Sequence, residues 1–110
     1  MAITLYGLKN CDTCKKAIKA LEAANHTVDF VDIRAEADLA TKVPTWLDAV
    51  GSDSLINRRS TTWRNLSEAE RDGEAKTQLI ENPTLIKRPV IEAGSTLYVG
   101  WTKAVQDAVL

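Results

Sequence analysis

Residues 3–33, ITLYGLKNCDTCKKAIKALEAANHTVDFVDI, decide the fold class that this sequence predicts. Residues 3–6 form a short strand-like run that stops at Gly7, and after Asn10 the apolar residues change to helical spacing. Residues 28–33 are rich in β-branched and aromatic side chains, which is typical of a second strand about one helix-length after the first. A strand, a helix and a strand in this order predict a βαβ unit whose two strands are parallel.

The middle of the chain predicts a series of helices. One helix is expected from an N-cap at Thr41 to a stop at Gly51, with Pro44 in its tolerant first turn. Residues 67–70, SEAE, carry the capping-box signature of another helix, in which the Ser and the last Glu satisfy each other's backbone N–H groups. We therefore expect a helical insertion over about residues 36–86.

The last part of the chain predicts a hairpin and a helix. Residues 89–92 and 96–99 have strand character around a short turn, and Thr102 can cap a final helix. The order βαβ, helical insertion, ββα predicts an α/β protein with a mixed four-stranded sheet of the thioredoxin-like type. A single domain over residues 1–110 is expected, because so short a chain has no room for two independent cores.

Charge and composition exclude several classes of function. Lys and Arg number 14 and Asp and Glu 15, so the formal net charge of −1 provides no bulk field for holding nucleic acid or an anionic membrane. No signal peptide and no long apolar run is visible in the sequence. We expect a cytoplasmic protein that binds neither nucleic acid directly nor a membrane.

The two cysteines, Cys11 and Cys14, form a C-x-x-C motif at the predicted junction of strand and helix. Backbone N–H groups at a helix start lack partners and the helix dipole is positive there, so a thiolate at Cys11 is stabilised. Cys14 lies one turn further along the apolar face and is expected to be the more buried sulfur. The motif predicts that Cys11 attacks as the nucleophile and that Cys14 resolves the product.

Two other interpretations of the cysteine pair stay open. Both could be ordinary small core residues, since free cysteine is among the most buried residue types. A tetrahedral zinc site would lack two ligands unless His26, the one histidine, and a carboxylate took part, so no metal is expected. His26 follows the first predicted helix, at the end of the sheet away from the cysteines, so a Cys-His catalytic pair is not expected either.

Three blocks of sequence together resemble a known family. They are YGLKNCDT at residues 6–13, NRRSTTWR at residues 57–64 and IKRP at residues 86–89. With these blocks in the same order, the chain resembles the arsenate reductase-like (ArsC/Spx) family and is most similar to its YffB branch. The resemblance implies a thioredoxin-like fold with a helical insertion, Cys11 as the nucleophile, and reductase chemistry linked to glutathione or thioredoxin. It implies glutathione as a co-substrate and no bound cofactor.

The resemblance also implies residues around the nucleophile. Arg88 precedes Pro89, a placement similar to the cis-proline loop of thioredoxin-like folds, and a cis bond here would hold Arg88 close to Cys11. Thr13 lies in the first family block, which is consistent with a hydrogen bond to the thiolate.

The second family block supplies a cluster of arginines. Arg59 could bind a carboxylate of the substrate or of glutathione, or it could pair with a nearby acid. Arg58 and Arg64 are expected to be structural, and Trp63 is expected to be either a packing anchor or a wall of the site. The predicted catalytic residues are Cys11 and Cys14, and the predicted substrate- or glutathione-binding residues are Arg88, Arg59, Pro89, Thr13 and Asn10.

Departures from the family pattern bear on the substrate. Two of the three oxyanion-binding arginines of glutaredoxin-linked arsenate reductases align with Asn57 and with the neighbourhood of residues 99–100. Because bidentate arginines hold an oxyanion against the attacking sulfur, arsenate is expected to be a poor substrate. The expected partners are glutathione and proteins that carry a glutathione adduct or a disulfide.

A redox-sensing regulator is the alternative function. Cys14 completes the C-x-x-C of Spx-like transcription regulators, in which the pair is a redox switch and the protein docks on RNA polymerase. Gly51 resembles the glycine of that docking face, although glycine at this place is also an ordinary helix stop. RNA polymerase is the expected partner in this interpretation.

Overall fold

The structure, a computed structural model, describes residues 2–110. The chain divides into two compact units, one built from residues up to Ala37 together with Arg88–Leu110 and the other from Asp38–Lys87. Met1, which the predicted domain extent includes, lies outside the described residues. The single-domain organisation stays a prediction.

The first unit contains a four-stranded sheet. Its strands are β1 (Ala2–Gly7), β2 (Thr27–Asp32), β3 (Val90–Ala93) and β4 (Thr96–Val99), in the order β2-β1-β3-β4. β1 pairs in parallel with β2 and antiparallel with β3, which pairs antiparallel with β4. The mixed sheet, the βαβ crossover and the terminal hairpin confirm the predicted α/β architecture.

Helix α1 (Asp12–Ala23) connects the two parallel strands. Its buried residues Cys14, Ala17 and Leu21 are spaced three or four positions apart, so they form one face, and this face packs in the same core cluster as Leu5 of β1. The crossover brings the start of α1 to the carboxyl end of β1, because the loop between them is only four residues long.

Helix α7 (Lys103–Val109) closes the first unit. The Thr102 hydroxyl accepts a hydrogen bond from the backbone N–H of Val105 at 3.3 Å, so Thr102 is the N-cap that the sequence predicted. Val109 of this helix is buried in the core cluster that contains α1 and the sheet.

The second unit is helical. Its elements are α2 (Leu39–Val50), α3 (Ser52–Leu55), α4 (Thr61–Arg64), α5 (Glu68–Arg71), α6 (Ala75–Glu81) and a 3-10 turn at Pro83–Leu85. A single antiparallel bridge pairs Ile56 with Ile86, and Trp46 is fully buried, as expected for a residue on the apolar face of α2. Within residues 2–110, no helix has the length and apolarity needed to cross a bilayer.

The capping box at the start of α5 forms as predicted. The Ser67 hydroxyl accepts from the Glu70 backbone N–H at 3.2 Å, and the Glu70 carboxylate accepts from the Ser67 backbone N–H at 2.9 Å. These bonds satisfy two N–H groups that a helix of four residues could not pair internally.

The predicted start of α2 is wrong. The helix begins at Leu39 after an N-cap at Asp38, and the Thr41 hydroxyl donates to the Asp38 carboxylate at 2.8 Å instead of capping the helix itself. The Asp38 side chain makes no cap hydrogen bond to the helix backbone, and the earlier start adds Leu39 to the buried face of the helix. Pro44 consequently lies beyond the first turn, while Gly51, with φ at 81°, ends the helix as predicted.

Candidate active site

The loop between β1 and α1 positions the two cysteines. Cys11 is the N-cap residue of α1, with extended backbone angles of φ −90° and ψ 114°. Its carbonyl accepts a helical hydrogen bond from the N–H of Lys15 at 3.0 Å, and its sulfur lies near the N–H groups of Thr13 and Cys14 without a full cap hydrogen bond. Cys11 is half-buried and Cys14 is fully buried, which confirms the expected difference between the two sulfurs.

Gly7 leaves the space that the side chain of Cys14 occupies. A Cβ atom on Gly7 would lie 2.5 Å from Cys14 Sγ and 3.3 Å from Cys14 Cβ, the first of which is far inside van der Waals contact. The missing side chain therefore lets the end of β1 pass directly against the second cysteine. No local sequence pattern signals this contact, because a glycine at a strand end equally marks a turn.

The local environment favours the thiolate of Cys11. Burial raises the pKa of the Cys11 thiol, but the opposing effects together are larger, and the pKa is lowered from its ordinary value. These effects are the proximity of the backbone N–H and the thiol of Cys14, the positive charge of Arg88, and the proximity of the backbone N–H of Thr13. Cys11 is thus ionised over a wider pH range than a free cysteine.

Cys14 experiences the opposite balance. Burial is the largest effect and raises the pKa of its thiol to about 11, helped by the hydrogen bond to Cys11 and the negative charge there. The backbone N–H of Leu8 and the charge of Arg88 act in the other direction and are outweighed. Near neutral pH, Cys14 is therefore a thiol that keeps its proton and donates a hydrogen bond to the Cys11 thiolate.

Arg88 and Pro89 precede β3, in the same unit as the cysteines. The peptide bond between them is cis, the condition under which the sequence placed Arg88 close to Cys11. Pro89 is buried, Arg88 is half-buried, and the charge of Arg88 acts on both sulfurs. Among residues 2–110, the Arg88 guanidinium has no ion pair or side-chain hydrogen bond, so it is open to an anionic group.

The arginines of the second family block differ in whether their side chains have partners within the protein. The Arg58 guanidinium pairs with Asp53 at 3.0 Å and lies over the ring of Trp63, 5.4 Å from its centroid. Arg64 donates to the carbonyl of Arg59 at 3.3 Å. These contacts fit the expected structural roles of Arg58 and Arg64, and the Trp63 ring also carries the guanidinium of Arg71, 5.9 Å from its centroid.

Arg59 itself is exposed and keeps its guanidinium free of ion pairs and hydrogen bonds within residues 2–110. Its backbone N–H donates to the side chain of Asn57 at 3.2 Å, which fixes the turn that presents it. Arg59 belongs to the second unit, so its predicted part in binding at Cys11 stays a prediction.

Comparison with known proteins identifies the family. Residues 6–108 match the sequence profile of the ArsC family. The chain belongs to the ArsC family. This confirms the resemblance, and arsenate reductase-like redox enzymes are members of the family.

Individual ArsC relatives cover nearly the whole chain. A protein of Haemophilus influenzae described as uncharacterized is 43% identical over 113 residues, covering 96% of both chains. The solved structure of the YFFB protein superposes with a TM-score of 0.88 at 34% identity and covers 98% of both chains, which confirms the thioredoxin-like fold. The global transcriptional regulator Spx of Listeria innocua is 29% identical over 114 residues, covering 92% of this chain and 81% of that protein.

Two further predicted site residues, Thr13 and Asn10, lie on either side of Cys11 in the sequence. Thr13 is exposed, and it is its backbone N–H that favours the Cys11 thiolate. Asn10 is exposed and lines a cavity beside the loop that leads to Cys11. Gly7 is the site residue that the sequence did not reveal.

Proposed function

We propose that this ArsC-family protein is a thiol-disulfide oxidoreductase that uses Cys11 as its nucleophile and glutathione as its co-substrate. The observation that carries the proposal is the opposite shift of two neighbouring thiols: the pKa of Cys11 is lowered while that of Cys14 is raised to about 11. Two cysteines that only fill the core would not require opposite pKa shifts. The opposite shifts distinguish a thiolate that can attack from a partner thiol that keeps its proton.

The reaction begins with attack of the Cys11 thiolate on one sulfur of a disulfide or glutathione adduct. A bond forms between the two sulfurs, the original S–S bond breaks, and the leaving thiolate takes a proton. Cys14 then attacks Cys11, giving an internal disulfide and releasing the bound thiol, which receives the Cys14 proton. Alternatively, where the mixed disulfide joins Cys11 to glutathione, a second glutathione attacks the glutathione sulfur, regenerating the Cys11 thiolate and releasing oxidised glutathione and a proton.

Arg88 is the anion-binding group of the proposed site. Its unpaired guanidinium lies near enough to both sulfurs to act on their charges, and glutathione carries two carboxylates. Arg59 is the second candidate for such a carboxylate. Arsenate is a poor candidate substrate, because Asn57 and Gly100 cannot supply the guanidinium forks that hold an oxyanion. We place this chemistry in the cytoplasm, where free thiols persist.

A redox-sensing regulator is the second candidate function. The observation in its favour is the similarity to the Spx regulator of Listeria innocua across 92% of this chain. In this function the same Cys11–Cys14 disulfide would act as a sensor, and the output would be a protein surface that binds RNA polymerase.

The deciding experiment treats the reduced protein with oxidised glutathione and maps the products by mass spectrometry. A mixed disulfide at Cys11 that glutathione removes with turnover supports the glutathione-linked enzyme. Conversion to the internal disulfide with slow or no turnover favours the sensor, and no reaction refutes both. Cys11→Ser is the control that must abolish the adduct, while Cys14→Ser must retain it.

A further inference from the structure

A second feature beside the nucleophile is a cavity at the carboxyl ends of the two parallel strands. It has a volume of about 250 Å³ and is lined by Leu8, Lys9, Asn10, Asp32, Arg34 and Ala35. The first three residues follow β1 and the others end or follow β2, so the cavity lies where parallel strands usually present ligand-binding loops. Its size is below the ~300–1,000 Å³ of sites for whole drug-sized ligands, so it fits one end of a molecule.

The acidic group of this cavity is held in place by the backbone. Asp32 Oδ1 accepts hydrogen bonds from the N–H of Arg34 at 2.8 Å and of Ala35 at 3.0 Å. Those two bonds are the largest influences on the pKa of Asp32, which is lowered, so the carboxylate is ionised near neutral pH. The second carboxylate oxygen carries no hydrogen bond to residues 2–110 and remains available.

Two cations line the same cavity. Lys9 and Arg34 are exposed, and the charge of each acts on Asp32, yet neither forms an ion pair within the described part of the chain. Their donors are therefore free to meet a second anion. A fixed carboxylate and two unpaired cations around one small cavity match the two opposite charges of an α-amino acid group.

The distance to the nucleophile suits a glutathione chain. Lys9 precedes Cys11 by two residues, so their Cα atoms are at most ~7.6 Å apart, twice the 3.8 Å step of the backbone. A glutamyl residue attached to a cysteine that is bonded to Cys11 spans about this length.

We propose that this cavity binds the γ-glutamyl end of glutathione, with its carboxylate on Lys9 and Arg34 and its ammonium group on Asp32. The assignment rests on the proposed glutathione-linked function. It leaves Arg88, which does not line the cavity, to meet the glycine carboxylate. Recognition of both charges predicts that the protein distinguishes glutathione from thiols that lack a free α-amino acid group.

The test measures the rate at which disulfides modify Cys11 in full-length Cys14→Ser protein, where the mixed disulfide accumulates. Four probes are compared: oxidised glutathione, its N-acetylated form, its glycine-amidated form and the neutral hydroxyethyl disulfide. With the unsubstituted cavity, N-acetylation of the probe should lower the rate of Cys11 modification by about threefold to tenfold. This is the low end for charged contacts, because these groups are exposed. Hydroxyethyl disulfide reports the reactivity of Cys11 alone.

Substitutions in the cavity complete a cycle with these probes. Asp32→Asn keeps an oxygen that can accept the backbone hydrogen bonds. It should lower the rate of Cys11 modification by oxidised glutathione as much as N-acetylation of the probe does. Combining the substitution with the acetylated probe should cause no further loss. Arg34→Gln should lower the rate of Cys11 modification by oxidised glutathione and by its glycine-amidated form by about the same factor. Asp29→Asn, an exposed acid of β2 outside the cavity, is the matched control and should leave every rate unchanged.

The outcomes separate this inference from the proposed function. If oxidised glutathione modifies Cys11 but N-acetylation and Asp32→Asn have no effect, the cavity assignment is overturned and the proposed function stands. If the effect of Arg34→Gln disappears only with the glycine-amidated probe, the cavity holds the other end of glutathione and the assignment is equally overturned. If hydroxyethyl disulfide modifies Cys11 and oxidised glutathione does not, both proposals fail. Should Asp32→Asn not fold, the N-acetylated probe on the unsubstituted cavity still decides.

Discussion

The contact between Gly7 and Cys14 gives the sharpest test of how the site is built. Gly7→Ala would place a methyl group 2.5 Å from Cys14 Sγ, in a position where both residues are buried. One of them has to move, and neither can move into free space, because the sulfur belongs to the core between α1 and the sheet. The substitution therefore acts on stability and on the nucleophile together.

The size of the effect follows from two opposing contributions. An additional methylene in a packed core costs about 1–3 kcal/mol, while replacing glycine by alanine in a strand recovers about 0.4–1 kcal/mol from the unfolded chain. The expected net loss is about 1–2 kcal/mol in the free energy of unfolding. In a Cys14→Ala background the sulfur is gone and the nearest remaining atom is Cys14 Cβ at 3.3 Å, so the same substitution should be nearly neutral.

Urea denaturation of the four reduced proteins in this double-mutant cycle measures the coupling. We expect Gly7→Ala and Cys14→Ala to be non-additive by about 1 kcal/mol or more. Gly7→Ala should also raise the pKa of Cys11, read from thiolate absorbance, because displaced Cys14 groups no longer donate well to the thiolate. Additive stabilities would show that Gly7 does not exist to accommodate Cys14 and would refute this reasoning.

Three further results are expected. Because the folded protein keeps Cys14 as a thiol with a pKa raised from 9.0 to about 11, its contribution to stability is complete below pH 9 and lost as the pH rises towards 11. Urea titrations should show this loss in reduced wild type and not in Cys14→Ala. Arg88→Ala should slow glutathione adduct formation at Cys11 by roughly 10- to 100-fold, with Arg88→Lys restoring only part, as measured by stopped-flow with circular dichroism as the folding control. Arsenate reduction, coupled to glutathione, glutaredoxin and NADPH, should stay far below about 1 per second, and turnover at that level would mean that a complete anion site exists.

Local patterns predicted the parts of this fold that local interactions determine. The capping box at residues 67–70 forms as predicted because each of its bonds joins residues three positions apart. The βαβ order of residues 3–33 is likewise visible in hydrophobic spacing. At the start of α2 the sequence pattern favoured Thr41 as the N-cap, whereas the structure buries Leu39 and starts the helix three residues earlier, after Asp38.

Local sequence patterns pointed to Cys11, and the family resemblance added Arg88; the roles of both in binding and catalysis stay predictions. A C-x-x-C at a strand-to-helix junction indicates Cys11 by itself, since the physics of a helix start is local. The approach of Arg88 to the sulfurs depends on the antiparallel pairing of β3 with β1, and no spacing in the sequence encodes it. The contact of Gly7 with Cys14 is set by side-chain packing, which hydrophobic spacing does not resolve either.

The two thiols act as a coupled pair, because each affects the pKa of the other. While Cys11 is a thiolate, its charge and its hydrogen bond help to keep Cys14 protonated. When Cys11 enters a mixed disulfide, that charge is lost, and the Leu8 N–H and the charge of Arg88 continue to favour a Cys14 thiolate. Burial still opposes ionisation of Cys14, which slows its attack on the adduct. In the proposed function, the access of glutathione to the adduct decides between turnover and an internal disulfide, and this is where the proposed enzyme and the alternative sensor would differ.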